Sequence, residues 1–430
     1  MRRFELKYGK TRLGLEIEAG ELLCEITGCA HPAVADPTRA YRQALERPID
    51  APPLAELVRP GERVAIAVSD ITRAWQRSDL TLPVLLQTLN EAGVADEDVT
   101  VIVAVGGHRL NTREEHLEIC GESACHRVRV VNHDAFDAEN MVRLGRTRRG
   151  TEVRVSRMAM EADRLILTGG AVYHYMAGYG GGRKSILPGI ASIETIRQNH
   201  LLGLSPEPGR GSNPRCASRL RQGNPLHEDM MEIAGFVQPD FLVNIVPNLE
   251  GEIAGVFAGN WVSAWNAATD LVDRIFGVEI DALADIVVAS AGGYPRDINL
   301  YQTGKAMDNA SCAMRPGGAA VIASECLQVR DPETFFKWFD YPSIRELDAA
   351  LRECFHLDGW VAMKQIECRL KGRVILVTRP ENIAVLEAAG FTAVAGMDEA
   401  MRLARNACGA PSPKITVMPQ GSLTLPVPRG

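Results

Sequence analysis

The amino-acid sequence contains no long apolar run, since no stretch approaches the roughly 20 consecutive apolar residues that a membrane-spanning helix needs. Its first twenty residues, MRRFELKYGKTRLGLEIEAG, have no apolar core, so we predict no signal peptide. No C-x-x-C pair occurs among the ten cysteines, which favours reduced thiols over a disulfide framework. These absences predict a cytoplasmic protein without a membrane partner.

Positive charge is in slight deficit. Lysine and arginine number 47 against 54 acidic residues, which gives a net charge of −7. Nucleic-acid backbones are bound chiefly by clustered lysine and arginine, and the densest basic segment, residues 143–157, is rich in turns and expected to be solvated. We therefore expect no nucleic-acid partner. A chain of 430 residues, 46% of them hydrophobic, is long enough for two or three domains.

Two familiar motifs are also absent. No histidine lies in H-E-x-x-H or beside a cysteine pair, so the sequence alone defines no zinc site. A Walker A loop, G-x-x-x-x-G-K-[S/T], fails because Arg183 stands where its second glycine should be when the motif is counted from Gly178. Pro188 follows Lys184 so closely that the helix of a Walker loop could hardly begin. The lysine therefore needs another role.

The sequence has instead a glycine-rich segment, residues 166–200. Glycine loses more backbone entropy on ordering than any other residue, so this density indicates backbone that approaches a ligand closely. The segment can cradle a phosphate through glycine N–H groups with Arg183 beside it. Lys184, near an arginine that favours its neutral form, can act as a nucleophile or covalent anchor. His174 and His200 flank this lysine, either as structural imidazoles or as functional ones.

A predicted strand followed by a polar tip occurs three times. Strand 63–68 precedes Asp-Ile-Thr-Arg, strand 99–105 leads into Gly-Gly-His-Arg, and strand 163–168 precedes the glycine segment. Each tip alone also has a purely structural interpretation, since Asp70 could cap a helix and His108 could be a packed structural residue. Because the carboxyl ends of parallel strands lie side by side, the three tips together predict one shared ligand site.

The same pattern restarts near residue 280 with a strand, a Gly-Gly tip and a helix. Spacing of i and i+4 puts Tyr301 and Lys305 on one face of that helix. We predict an α/β protein with two α/β domains and mostly parallel sheets. The predicted domains are residues 1–278 and 279–430, with the active site in the crevice between them.

These motifs resemble the nickel-pincer-nucleotide-dependent lactate racemase family over most of the chain. The resemblance rests on DITR at 70–73, GGHR at 106–109, HYMAGYGGGRKSILPGIAS at 174–192, His200 and DINLYQTGKAM at 297–307. Its most specific part is Gly-Arg-Lys-Ser followed by Leu-Pro-Gly-Ile. The family uses a nucleotide-derived pyridinium with two thiocarboxyl-type arms, which is tethered to a lysine and holds nickel together with one histidine.

Carried over residue by residue, the resemblance implies that Lys184 is the tether and His200 the nickel ligand. His108 and His174 would be the acid and base, one on each face of the substrate. The other implied site residues are the cofactor-binding Asp70, Ile71, Thr72 and Arg73 and the substrate-binding Arg73, Tyr301, Gln302, Lys305 and Trp360. The implied partners are a small 2-hydroxy acid and the enzymes that mature the cofactor.

The resemblance implies that a racemase or epimerase inverts C2 of a 2-hydroxy acid. Hydride would pass to the cofactor while one histidine takes the hydroxyl proton, and the planar 2-keto acid would receive hydride on its other face. Two bases are needed because the hydroxyl lies on opposite sides in the two isomers, and imidazoles titrate near working pH. Lys305 and Arg73 would offset the charge of carboxylate and alkoxide.

One departure concerns Ala74-Trp75-Gln76-Arg77, where the lactate enzymes tend to have a Pro-x-Pro pattern. It predicts a substrate larger or more polar than lactate, with Gln76 or Arg77 reaching its distal end. Two other classes stay open. A phosphotransferase would use Lys184 on a nucleotide, although the missing Walker glycine disfavours it. A non-catalytic protein would bind or carry the nickel cofactor or a nucleotide without needing His108 or His174.

Overall fold

The computed structural model describes residues 1–429, within which no helix is long and apolar enough to cross a membrane. Its strands are β1 (Arg2–Tyr8), β2 (Thr11–Ile17), β3 (Leu22–Glu25), β4 (Val64–Ser69), β5 (Val99–Ala104), β6 (Arg129–Asn132), β7 (Met141–Arg146), β8 (Glu152–Ser156), β9 (Arg164–Gly170), β10 (Tyr173–His174), β11 (Gly178–Tyr179), β12 (Phe241–Pro247), β13 (Ile253–Gly259), β14 (Gly277–Ile280), β15 (Ala284–Ser290), β16 (Met314–Ala323), β17 (Arg373–Val377), β18 (Thr392–Val394), β19 (Ile415–Met418) and β20 (Leu425–Pro428).

The α-helices are α1 (Pro37–Glu46), α2 (Leu54–Leu57), α3 (Ser78–Glu91), α4 (Arg113–Cys120), α5 (Glu122–Arg127), α6 (Arg157–Met160), α7 (Ile193–Leu201), α8 (Pro225–Val237), α9 (Ser263–Phe276), α10 (Leu300–Ala313), α11 (Ile344–Glu353), α12 (Leu357–Lys371), α13 (Ile383–Ala388) and α14 (Met397–Cys408). Short 3-10 helices cover Ile71–Gln76, Asp96–Asp98, Ala138–Asn140, Gly182–Ser185, Glu333–Phe339 and Pro380–Asn382.

The chain forms two compact units. The N-terminal unit comprises residues 30–203 and 215–275, and the C-terminal unit comprises residues 1–29, 204–214 and 276 onward. Each contains one six-stranded sheet that is wholly or mainly parallel, which confirms the predicted α/β class.

The sheet of the N-terminal unit has the strand order β13-β12-β9-β4-β5-β6, with only β13 antiparallel to its neighbour. The chain enters at β4, moves outward through β5 to β6, and then returns to β9 on the other side of β4. This doubly wound order puts its topological switch point between β4 and β9, where such sheets bind ligands outside the carboxyl ends of their strands. The predicted strand tips therefore lie at the position that the fold offers for a site.

Helices α1, α3, α4 and α5 share one apolar core with this sheet. Leu82, Leu85 and Leu89 of α3 follow helical spacing and are completely buried against inward-facing residues of β4 and β5 such as Ile66 and Val101. Helix α4 begins with a capping box, in which Thr112 and Glu115 satisfy each other's backbone N–H groups. The glycine segment after β9 packs on the sheet as well, next to α8.

The sheet of the C-terminal unit has the order β18-β17-β16-β15-β19-β3, and all its strands are parallel. Its switch point lies between β15 and β19. Helix α14 and the β1–β2 hairpin share one apolar core with this sheet, which includes Leu6, Ile17 and Ala404. Helices α10 and α12 also pack together in this unit.

The predicted division into residues 1–278 and 279–430 needs correction in two stretches. Strand β3 is the edge strand of the C-terminal sheet, where it pairs with β19, and the backbone N–H of Ile26 donates to Val417. Residues 204–214 also belong to the C-terminal unit, since the N–H of Gly209 donates to Asp348 at 2.8 Å. Local periodicity marks an edge strand but not the sheet that it joins, because that choice depends on residues hundreds of positions away.

Candidate active site

Asp70 and His108 form a hydrogen-bonded pair across the tips of β4 and β5. Nδ1 of His108 lies 2.5 Å from Oδ2 of Asp70, while the hydroxyl of Thr72 donates to Oδ1 at 2.6 Å. Burial alone would raise the pKa of Asp70, but the hydrogen bond and charge of His108, with the Thr72 hydroxyl and the Arg73 guanidinium, bring it below its ordinary value. The ionised carboxylate therefore accepts from Nδ1–H, and the lone pair of the neutral ring lies on Nε2.

The tip that carries His108 is docked on the glycine segment. The N–H of Gly106 donates to the carbonyl of Gly189 at 3.0 Å. Gly106 has a φ of +57°, and a Cβ there would lie 3.1 Å from Cβ of Pro188. Glycine is favoured here by both the left-handed backbone and the close approach.

His174 and Lys184 meet inside the glycine segment. His174 ends β10, and its Nδ1 accepts from the N–H groups of Met176 and Ala177 at 3.3 and 3.1 Å, so the proton of the neutral ring lies on Nε2. That Nε2 is 3.4 Å from Nζ of Lys184. Burial lowers the pKa of Lys184 to about 7, helped by the charges of Arg183 and Arg73. A substantial neutral fraction at physiological pH makes this amine nucleophilic.

Arg183 has a structural role, in contrast to the predicted phosphate cradle. It is completely buried, its Nε donates to Nδ1 of His227 at 3.0 Å, and its Nη2 donates to the carbonyls of Ala177 and Tyr179. The guanidinium also lies 4.3 Å from the ring centroid of Trp265. Burial lowers the pKa of Arg183 to about 9. Its donors hold the loop that carries the lysine, so the side chain is not placed to receive a phosphate.

Further buried groups shape this loop, and sequence reasoning missed their role. The N–H of Gly182 donates to Oδ1 of Asn244 on β12 at 2.9 Å, and Nε1 of Trp265 donates to the carbonyl of Gly180 at 2.9 Å. The hydroxyls of Tyr173 and Tyr179 both donate to Asp273 at 2.8 Å. Trp265 lies on α9 and is buried. No local pattern signals its contact with the loop.

His200 is held near the end of α7, which begins at the N-cap Ser192. Nδ1–H of His200 donates to the carbonyl of Ile196 at 2.8 Å, which leaves the lone pair on Nε2. Burial lowers the pKa of His200 to about 3, and the nearby charge of Lys184 contributes. A neutral imidazole whose Nδ1 is bound to a backbone carbonyl is the form that ligates metals. Within residues 1–429 no three His, Cys, Asp or Glu side chains form a metal-binding group by themselves.

The segment after Asp70 forms the 3-10 helix Ile71–Gln76, in which the N–H of Ile71 donates to Asn111 and Arg73 donates to the carbonyl of Thr72. The departure from Pro-x-Pro lies here.

Gln76 and Arg77 are engaged within the fold. Gln76 is 7% exposed and lies near Gly169 and Gly170, while Arg77 makes two 2.9 Å hydrogen bonds to Asp79. The ring of Trp75 packs on Gly170, where a Cβ would lie 2.7 Å from it. Asp79 thus holds Arg77, whereas Oε1 of Gln76 is buried without a hydrogen-bond partner among residues 1–429, and the reach of Gln76 toward a substrate stays a prediction.

The predicted substrate-binding residues of the C-terminal unit lie on two packed helices. Asn299 caps α10 by accepting from the N–H of Gln302 at 2.8 Å, and Nζ of Lys305 donates to Oε1 of Gln302 at 2.9 Å. Tyr301 lies edge-on to Phe335 at 5.3 Å between ring centroids. Trp360 is completely buried on α12, which packs on α10. The structure thus brings Gln302 and Lys305 together as a polar pair.

The doubly wound sheet defines an α/β protein, and a lysine of lowered pKa and oriented histidines form a candidate site in the same unit. The chain matches the model of the lactate racemase N-terminal domain over residues 8–211 and that of the lactate racemase C-terminal domain over residues 280–425. The chain belongs to the lactate racemase family.

Two relatives are similar along their whole length. Lactate racemases of Thermoanaerobacterium thermosaccharolyticum and Lactiplantibacillus plantarum are each 30% identical over 428 residues, which is 98% and 97% of this chain and 98% of each relative. The solved apoprotein structure of lactate racemase from T. thermosaccharolyticum matches with a TM-score of 0.89 and full coverage of both chains. A Thermotoga maritima protein, 17% identical with a TM-score of 0.63, shares the fold over 91% of this chain and 97% of its own.

Proposed function

We propose that this protein is a nickel-dependent racemase or epimerase that inverts C2 of a 2-hydroxy acid by hydride transfer. The observation that carries the proposal is the placement of Lys184, His174, His200 and the Asp70–His108 pair in one doubly wound unit. Three of its strand tips contribute, and all three are fixed by hydrogen bonds. Membership of the lactate racemase family supports the same reaction class.

The residues fit the nickel-pincer nucleotide that the family implies. A partly neutral amine at Lys184 suits a covalent tether, because only the unprotonated amine attacks an acyl-type carbon. Nε2 of His200 is in the metal-ligating form, and Asp70 to Arg73 would hold the nucleotide. When bound, the group supplies a hydride acceptor that also returns the hydride. The chain itself must then handle the hydroxyl proton and the carboxylate.

The two proposed acid/base histidines are held in different ways. His108 presents the lone pair of Nε2, and the Asp70 carboxylate stabilises the imidazolium that forms when this nitrogen takes the hydroxyl proton. Nδ1 of His174 instead accepts two backbone N–H bonds, so charging this ring requires those contacts to open. His108 is therefore preset as a base, whereas His174 must gain a proton before it acts as an acid.

Lys305, aligned by Gln302, would bind the substrate carboxylate, and Arg73 would offset charge on the hydroxyl oxygen. The substrate remains part of the proposal as a 2-hydroxy acid larger or more polar than lactate. A panel of lactate and its hydroxylated and dicarboxylic analogues, offered to matured enzyme, checks this. Preference for lactate would argue against it.

The test of the activity uses matured holoenzyme and chiral chromatography of a 2-hydroxy acid panel. His108→Ala and His174→Ala should each reduce racemisation by about 10²- to 10⁴-fold, the usual contribution of a general acid or base. His126→Ala, on the exposed surface of α5, is the matched control and should retain activity. Undiminished racemisation in both active-site variants would contradict these roles, and no racemisation by any form would favour a carrier protein.

Intact-protein mass spectrometry tests the tether. Matured protein should carry an added mass that Lys184→Ala lacks and that the exposed control Lys337→Ala keeps. An adduct that persists in Lys184→Ala would exclude this lysine as the tether.

The alternative of a phosphotransferase loses support, because the arginine beside the lysine is buried among loop carbonyls.

A further inference from the structure

The C-terminal unit contains a cavity of about 610 Å³ that the proposed reaction does not use. It lies between the turn of the β1–β2 hairpin and the glycine tip that follows β15. Its walls include Lys7, Lys10, Arg12, Gly292, Tyr294 and Arg296. Because β15 borders the switch point of its sheet, the cavity is at the edge where doubly wound sheets bind ligands.

The charge of this cavity is strongly positive. Four lining side chains are cationic and none is acidic. Within residues 1–429, none of these four cations lies within 4.0 Å of a carboxylate oxygen, although ion pairs are frequent elsewhere in the chain. Two carboxylates lie at the hairpin turn in the cavity wall, where Asp297 accepts the N–H of Gly9 and a Cβ built at Gly9 would clash with Oε2 of Glu325. None of the four therefore forms an ion pair in the described part of the chain, and the Lys10 ammonium lies instead over the ring of Tyr294, 5.3 Å from its centroid.

Cross-strand pairing in the β1–β2 hairpin also places positive charges together at this cavity. Arg3 is opposite Glu16, a favourable pair, but Lys7 is directly opposite Arg12 at the cavity. Like charges directly opposite on one face of an antiparallel pair destabilise it. Stability of the hairpin does not explain this choice, whereas an anion between the two side chains would remove the repulsion.

The walls are fixed by backbone contacts. The N–H of Tyr294 donates to the carbonyl of Gly9 at 2.8 Å, and the hydroxyl of Ser290 donates to the carbonyl of Lys7 at 2.5 Å. The stem of Arg296 packs on Gly292, where a Cβ would lie 3.1 Å from Cδ. These contacts hold the backbone that carries the cations, so an arriving ligand has to order the exposed side chains but not the loops.

We propose that this cavity binds a phosphate-bearing small molecule. A phosphate group offers three acceptor oxygens in different directions, which suits cations that approach from the hairpin on one side and from the glycine tip on the other. The cavity has room for more than a single phosphate, so pyrophosphate is a suitable probe. This site goes beyond the proposed racemase activity and does not depend on it.

Titration calorimetry of the full chain with inorganic pyrophosphate tests the proposal, with and without cofactor. We expect a dissociation constant below about 1 mM at low salt, and at least about tenfold weaker binding in the Lys7→Ala/Arg12→Ala double variant. Arg3→Ala, on the same hairpin outside the cavity, is the matched control and should bind like the wild type. Arg73→Ala should also bind normally, because its side chain belongs to the other unit.

Thermal unfolding keeps the test decisive if a variant folds poorly. Without ligand, the double variant should melt at or above the wild-type temperature, since the like-charge pair is gone; pyrophosphate should raise the melting temperature of the wild type only. Absence of binding at 10 mM pyrophosphate, on the order of ten times the expected constant, would overturn the proposal. So would binding abolished by Arg73→Ala but not by the double variant, or citrate binding as tightly as pyrophosphate.

Discussion

The two glycine tips of this molecule use arginine in opposite ways. After β9, Arg183 is completely buried and donates to loop carbonyls and to His227. After β15, Arg296 is half-exposed and lines a cavity with three other cations. Arg183 follows Gly180–Gly182 in the loop after β9, and Arg296 comes shortly after Gly292–Gly293 in the loop after β15. Their contacts, and not their position after glycines, decide whether the guanidinium holds the loop together or faces a ligand.

Replacing the two arginines should separate these roles most strongly. Arg183→Met should cost about 3 kcal/mol or more in the free energy of unfolding, because it leaves several buried carbonyls without a donor. Arg296→Met should change it by less than about 1 kcal/mol, since no hydrogen bond is lost. Urea unfolding measures both. Equal losses would mean that the two tips do not differ in this respect.

The glycines near these two arginines should show the second largest difference in the free energy of unfolding. Gly182 has a φ of +53° and a Cβ there would lie 2.6 Å from Cδ1 of buried Trp265, so Gly182→Ala should destabilise by about 2 kcal/mol. Gly292, at +107°, would meet the movable Arg296 side chain and Ser422 Oγ at 3.1 to 3.2 Å. Gly292→Ala should cost less, and thermal unfolding of both variants checks the order.

Asp70 at the tip of β4 and Asp297 in the loop after β15 should differ in the effect of their replacement on activity. Asp70→Asn should lower kcat by about 10²-fold, because the amide cannot stabilise charged His108. Asp297 accepts from the backbone N–H groups of Gly9 and Glu325, contacts that an asparagine oxygen can keep. Asp297→Asn should therefore retain kcat within about threefold in racemisation assays. A flattened pH profile in Asp70→Asn would distinguish loss of base function from general damage.

The smallest expected difference concerns the stability of the two units at acidic pH. Hydrogen bonds from Arg405 lower the pKa of Glu21 in the C-terminal unit, and those from Arg164 lower the pKa of Glu62 in the N-terminal unit. A carboxylate with a depressed folded-state pKa stabilises above its unfolded pKa of about 4.3, and this contribution is lost as pH falls through the folded value. Glu21→Gln and Glu62→Gln should therefore differ from wild type at pH 7 in unfolding experiments, and the difference should shrink only as the pH falls below the unfolded value of about 4.3 and through the lowered folded pKa. A constant difference at all pH values would contradict the linkage.

Much of the site follows from local sequence. The strands that precede Asp70, His108 and the glycine segment are visible as apolar runs, and parallel pairing then brings the first two residues within hydrogen-bonding distance. Other parts depended on distant residues. Trp265 and Asn244 contact the loop from α9 and β12, some 60 to 85 positions along the chain. Gln76, which the sequence suggested as a substrate contact, is buried beside Gly169 and Gly170.

Short-range pattern was thus enough for the α/β class and the polar strand tips, because periodicity and buried apolar runs act within a few residues. Packing between remote segments decided the rest. It assigned β3 to the C-terminal sheet, put Arg183 among carbonyls, and set Lys7 against Arg12 at the edge of a cavity. A side chain's burial and partners depend on segments that meet only in the folded chain, and those determine its charge and chemistry.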